Sequence, residues 1–151
     1  MLYGCKYSSP IGELYITNDE KSLLSVSFEA DNFSLDIKNE ITNNTIKQLD
    51  EYFQGRRKIF DLPLNPKGTE FQKKVWEELK KIPYGTTKSY KDIAIAIGNP
   101  NASRAVGNAN NKNPIPIIIP CHRVIGANKK LVGYAGGLDK KQKLLDIENK
   151  L

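Results

Sequence analysis

The chain has 151 residues, 39% hydrophobic and 26% charged, a length and balance that suit one folded domain, or a small domain beside a slightly larger one, and exclude a membrane-spanning bundle. Two cysteines far apart and a single histidine exclude a disulfide framework and an ordinary tetrahedral zinc site, so neither a metal nor a cofactor is expected. The net charge of +6 is unevenly spread: residues 1–65 carry seven Lys/Arg against ten Asp/Glu, residues 66–151 sixteen against seven, so the second part is either a polyanion-binding surface or a solvated lysine-rich one.

The first residues, MLYGCKYSSP, lack a basic segment followed by an apolar one, which points to the cytoplasm, or to the nucleus of a eukaryote. From Leu2 to about Phe28 the alternation is that of a strand pair, with turn clusters at Ser8–Gly12 and Thr17–Lys21. Ile46, Leu49, Tyr52 and Phe53 recur at helical spacing from about Asn44 to Gln54, where Gly55 stops the helix, and Ile59–Leu62 is expected to return as a short strand. Pro63, Asn65, Pro66 and Gly68 form a connector where the charge changes sign. This divides the chain into domains over 1–65 and 66–151.

Beyond the connector, Thr69 caps a helix from about Glu70 to Ile82 that carries Phe71, Val75, Trp76 and Leu79 on one face. Ser89 caps a short helix through about Ile97. Gly98 and Asn99 then turn the chain, and Pro100 opens a third helix from Ala102 to about Asn111. Two short helices across a tight turn read as a helix-turn-helix. In the third, Ser103, Ala105 and Gly107 make a small face from which Arg104 stands out, suited either to packing on protein or to pressing into a nucleic-acid groove. Pro114, Pro116 and Pro120 are expected to keep the next segment extended, as an arm that delivers Cys121, and a last helix runs from about Asp139 to Asn149. Cys5 is expected to serve packing.

Cys121 and His122 lie side by side in Pro-Cys-His-Arg-Val. On these residues alone Cys121 reads either as a small buried hydrophobe or as a nucleophile with an adjacent base. In an extended segment the two side chains face opposite ways, which disfavours a direct sulfur–imidazole pair and with it a cysteine hydrolase. Alkyl transfer to sulfur needs only the thiolate, and its thioether product resists water.

The run GTTKSYKDIAIAIGNPNASRAVGNANNKNPIPIIIPCHRVIG, followed by GYAGGLDKKQKLLDIE, resembles the O6-alkylguanine-DNA alkyltransferases, strongly from about Phe71 to Glu148 and more weakly before residue 65, where Ser9–Leu14 resembles their opening hairpin. The resemblance implies an α+β fold, with a ribonuclease H-like N-terminal domain of small antiparallel sheet and helix beside a helical domain containing the helix-turn-helix. It implies single-turnover transfer of the alkyl group from O6-alkylguanine in DNA, with O4-alkylthymine as a further candidate, to Cys121. His122 would take the thiol proton through a water, Glu148 would orient the imidazole, and Tyr90 would hydrogen-bond the departing base at N3. Ser103, Arg104, Ala105, Gly107 and Asn113 would meet double-stranded DNA through its minor groove, with Arg104 filling the place of an extruded nucleotide. Pro116, Val124, Tyr134, Ala135 and Gly136 would shape the pocket for the base. The resemblance further implies a monomer without membrane or metal. Ala135 stands where many relatives have serine, which removes a hydroxyl contact to O6. The rival readings are a lesion-binding module that does not react and a cysteine hydrolase.

Overall fold

The structure, a computed structural model, describes residues 1–126, 131–134 and 136–149, and contains two compact units, Met1–Lys67 and Gly68–Leu151. The first is built on an antiparallel sheet of β1 (Tyr3–Ser9), β2 (Gly12–Asn18) and β3 (Leu23–Ser27) in the order β1-β2-β3. The expected hairpin closes at Pro10–Ile11, with Ser9 paired to Gly12 and Tyr3 to Asn18. Alternation puts Cys5, Tyr7, Leu14 and Ile16 into the core, where Cys5 is thoroughly buried. At Gly4 the sheet gains a bridge on its far side: the Gly4 N–H donates to Ile37 O at 2.7 Å and the Ile37 N–H to Gly4 O at 3.0 Å.

Helix α1 (Glu40–Phe53) packs on this sheet and starts four residues earlier than the spacing of its large apolar residues indicates. Asn39 caps it, accepting from the Thr42 N–H at 3.1 Å while Thr42 Oγ1 accepts from the Asn39 N–H at 3.2 Å. Asn18, buried at the end of β2, accepts from the Thr42 hydroxyl at 2.6 Å and donates to Asn39 Oδ1 at 2.7 Å, so the first turn is fastened to the sheet by polar groups. The expected strand over Ile59–Leu62 does not form. The Gln48 side chain takes both backbone groups of Asp61, at 2.8 and 2.9 Å, Ile59 is 80% exposed, and the bridge to β3 is made by Leu64 instead.

The second unit begins with α2 (Glu70–Leu79), capped by Thr69 and burying Val75, Trp76 and Leu79. A two-residue strand β4 (Lys88–Ser89) leads into α3 (Tyr90–Ala96), capped by Ser89, and the turn at Gly98 leads to α4 (Ser103–Asn111). Pro100 does not open α4. Residues 99–102 close a turn through the Ala102 N–H to Asn99 O at 3.0 Å, and the helix starts at Ser103. Val106, Ala109 and Asn110 face inward, and the Trp76 indole donates to Ala109 O at 2.9 Å.

Residues 113–120 are folded rather than extended, which corrects the expected arm. The Asn113 side chain accepts from the Ile115 N–H at 2.9 Å and donates to Ile119 O at 2.8 Å, and the Ile119 N–H donates to Ile115 O at 2.9 Å. Ile117 adopts φ 76°, rare for a β-branched residue. Prolines remove the donors a strand would need, and the asparagine amide supplies a compact alternative. A 3-10 turn (Cys121–Arg123) follows. Strand β5 (Val124–Ile125) pairs in parallel with β4, and α5 (Leu138–Asn149) buries Lys141, Leu144, Leu145 and Glu148.

A Cβ on Gly4 would stand 2.1 Å from the Ile16 carbonyl oxygen. Gly4→Ala is expected to destabilise the N-terminal unit by more than about 2 kcal/mol, read as a lowered urea midpoint of far-ultraviolet dichroism; an unchanged midpoint would show that the strands part without cost.

Candidate functional site

Cys121 opens the 3-10 turn, 2% exposed, its N–H donating to Ile119 O at 2.8 Å. Its carbonyl accepts from the Asn110 amide at 3.3 Å and from the Val124 N–H, so a ligand's amino group would have to share it. Burial pushes the thiol up to about 11, against the pull of the Asn113 side chain, the Lys141 ammonium, its own backbone and the Tyr134 hydroxyl. A thiol in this setting is protonated at neutral pH and needs a base at the moment of reaction.

His122 is fully buried beside it. The two residues share a 3-10 turn in place of the extended segment expected for them. His122 Nε2 lies 2.6 Å from Glu148 Oε2, and its Nδ1 has no hydrogen-bond partner among the described residues. Burial drives the imidazole below its ordinary value; Glu148 opposes this, and the charges of Arg123 and Lys141 reinforce it. Glu148 itself is opposed by burial, but hydrogen bonds from His122 and Arg123 carry it down to about 2. A buried carboxylate held ionised next to an imidazole favours the ring form with a proton on Nε2 and a bare Nδ1.

Tyr90 starts α3, donates its hydroxyl to Val132 O at 2.8 Å and is raised by burial and by the charge of Cys121. Gly107 of α4 lies against its ring, where a Cβ would approach to 3.8 Å. Tyr90, Ser103, Arg104, Gly107, Val132 and Gly133 line an open cleft of about 670 Å³. Arg104 is exposed there.

The expected site residues therefore fall into distinct places. Asn113 and Tyr134 reach the Cys121 thiol and Glu148 reaches the next residue, His122; Tyr90, Ser103, Arg104 and Gly107 line the cleft. Ala105 is exposed on α4 outside the cleft lining, Gly136 is half-buried in a turn, Val124 is buried in β5, and Pro116 is buried in the folded segment, bridged to Ile119. Ala135 lies outside the described residues. Among the described residues no cluster of three or more His, Cys, Asp or Glu could hold a metal ion, and no helix is long and apolar enough to cross a membrane.

Sequence reasoning missed Lys141. Its ammonium donates to Val132 O at 2.9 Å and Gly133 O at 3.2 Å, lies 5.9 Å from the Tyr90 ring centre, and is lowered by burial to about 8. In the run Asp139-Lys140-Lys141-Gln142-Lys143 it passes for a solvated lysine, but it shares helical spacing with Leu144, Leu145 and Glu148, all of which face inward.

Residues 70–150 match the family described as 6-O-methylguanine DNA methyltransferase, DNA binding domain, and residues 1–66 the ribonuclease-like domain of the same family. The chain belongs to the 6-O-methylguanine DNA methyltransferases. This methyltransferase is 51% identical to the methylated-DNA–protein-cysteine methyltransferase of Methanosarcina acetivorans, covering 97% of this chain and 98% of the relative. It is 46% identical to the constitutive enzyme of that name from Bacillus subtilis, covering 98% and 96%. The crystal structure of Mycobacterium tuberculosis O6-methylguanine methyltransferase, 42% identical, superposes with a TM-score of 0.90 over 99% of this chain and 93% of that one. The complex of the Mycobacterium tuberculosis protein with DNA, also 42% identical, gives 0.90 over 97% and 92%. The α+β architecture of this methyltransferase, a three-stranded antiparallel sheet with a helix followed by a helical unit, is that of its relatives.

Lys141→Met removes the nearest cation from the thiol. In a Cys5→Ser background, where only Cys121 remains, methylation of the thiol by iodomethane at pH 7, where the ammonium is charged, is expected to be slower than in the Lys141 protein; equal rates would show that the ammonium does not act on the sulfur.

Proposed function

We propose that Cys121 is the alkyl acceptor of this enzyme and that His122, Glu148, Tyr90 and Arg104 serve its reaction. The chain is a DNA-repair transferase of the methylated-DNA–protein-cysteine class, as its relatives are named over nearly their whole length. The observation that carries the residue assignment is a buried thiol held protonated beside an imidazole whose only bonded nitrogen is tied to an ionised carboxylate. Such a pair can receive the thiol proton on Nδ1 through a bridging water, and Glu148 stabilises the imidazolium that results.

The thiolate then attacks the alkyl carbon on guanine O6. The sulfur–carbon bond forms as the carbon–O6 bond breaks, and the electron pair passes to O6 and the ring. The Tyr90 hydroxyl, exchanging its bond to Val132 O for one to the base, donates to N3 and meets the charge there. Guanine leaves as a neutral base once it takes up a proton, and the proton from Cys121 rests on His122 until solvent removes it. The thioether is not hydrolysed, so each molecule acts once. O4-alkylthymine presents the same kind of carbon–oxygen bond.

DNA is the partner. The second unit supplies the binding and accepting groups and the first its scaffold, in our reading. Helix α4 enters the minor groove with its small face, and exposed Arg104 fills the stack behind an extruded nucleotide whose pairing the alkyl group has weakened. We assign the work to a monomer in the compartment that holds the genome, the cytoplasm of a cell without a nucleus.

Incubation with an O6-methylguanine duplex followed by peptide mass mapping is expected to place one methyl group on Cys121, with none transferred in Cys121→Ser and full stoichiometry in Cys5→Ser. Methyl on Cys5 would overturn the acceptor, and binding without any mass gain would make the chain a lesion-binding module. Arg104→Ala is expected to lose on the order of 1–3 kcal/mol of activation on duplex substrate and little on free O6-benzylguanine, which needs no extrusion. Equal losses in the two single-turnover rates would assign Arg104 to the fold.

A further inference from the structure

Arg123 is the one member of the Cys121–Arg123 turn to which the reaction above gives no part, yet it is buried and makes the most directional contacts of the three. Its Nε donates to Glu148 Oε1 at 2.8 Å and its Nη2 to Glu148 Oε2 at 3.0 Å, the latter being the oxygen that also bonds His122. Its Nη1 donates to Ile82 O at 2.7 Å, and the Tyr84 ring lies 5.7 Å from its Cζ. The guanidinium therefore cannot swing away, and it grips the carboxylate by both oxygens.

We infer that Arg123 is a positioning residue of the alkyl transfer: by neutralising Glu148 and fixing its plane, it keeps His122 an uncharged base with Nε2 protonated and Nδ1 open to the thiol proton. This rests on the reading of Cys121 as acceptor and His122 as its base. A carboxylate and an imidazole alone in a buried site attract each other most when the ring is charged, so the pair would draw a proton from solvent and the ring would be spent before the thiol arrived. With Arg123 bound, the charge of Glu148 is already balanced and the ring gains less by protonation. Other groups facing this site act on the same balance. Lys141 from α5 opposes a charged ring, the Cys121 thiol on the same turn is neutral, and Tyr84 from the turn after α2 is raised by burial and remains a neutral phenol. When the thiol proton does arrive, the thiolate formed beside the ring supplies the negative charge that the resting site withholds.

His122 is the only histidine of the chain, so its ring nitrogens can be read in the intact wild-type protein by 15N magnetic resonance without assignment. The expected spectrum is that of a neutral ring protonated on Nε2, persisting below pH 6.5. A charged ring or an Nδ1-protonated one at pH 7 overturns the inference. The second measurement is the pH dependence of single-turnover methyl transfer. Arg123→Gln is expected to move the acid limb up by about one pH unit or more, and Arg123→Lys, which restores the charge with fewer hydrogen bonds, to bring it back toward the wild type. An arginine that merely ties α5 to the turn after α2 would lower the melting temperature of both variants and leave the acid limb in place, which also overturns the inference. If Arg123→Gln does not fold, the wild-type spectrum and the Arg123→Lys profile decide. Absence of methyl transfer to Cys121 of the wild type would sink the acceptor reading itself, whereas normal transfer with an unmoved limb sinks only the role of Arg123.

Discussion

In the proposed reaction the sulfur of Cys121 has to shed its proton before it can attack carbon, and its surroundings resist this. With the thiol near 11, only roughly one molecule in ten thousand carries a thiolate at pH 7. Everything around the turn offsets part of that resistance. Asn113, Tyr134 and Lys141 favour the charged sulfur directly, and in the proposed reaction His122 with Glu148 gives the proton somewhere to go. Lys141 meets the cost from the opposite side, since the burial that raises the thiol lowers the ammonium to about 8. Two groups that are each unfavourable in a dry site become mutually supporting there.

Helix α4 is asked to do two things with one short run of residues. Its inner side chains, Val106, Ala109 and Asn110, fasten it to the second unit, and Asn110 reaches the carbonyl of Cys121 itself. Its outer side supplies Ser103, Arg104 and Gly107 to the cleft. The helix we propose to meet DNA is thus bonded, through Asn110, to the backbone of the proposed acceptor. At Gly107 the Tyr90 ring lies at a distance that would leave a Cβ in ordinary van der Waals contact.

The overall plan was legible because it is written in local signals. Thr69 and Ser89 cap their helices as read, the hairpin closes at Pro10–Ile11, and the family motifs lie where sequence comparison finds them. What escaped was decided by side chains acting as backbone. Asn39 and Thr42 begin α1 with a threonine in the place usually read as Glu or Gln, Gln48 replaces a strand partner for Asp61, and Asn113 folds a proline-rich segment that prolines alone would leave extended. Pro100 misled for a related reason, because the Asn99–Ala102 turn competes with a helix start and wins. Lys141 was hidden by composition, since a lysine among lysines carries no sign of burial except its spacing.

The single tryptophan acquires a use from its bond to Ala109. Trp76 is buried, and its indole N–H is spent on a carbonyl in the last turn of α4, so the electronic environment of the one indole in the chain includes the helix that carries Arg104. The first unit has tyrosines but no indole. Emission excited at the red edge of the protein absorbance therefore comes from the second unit alone, and its colour and lifetime report on the surroundings of α4 in the unmodified protein.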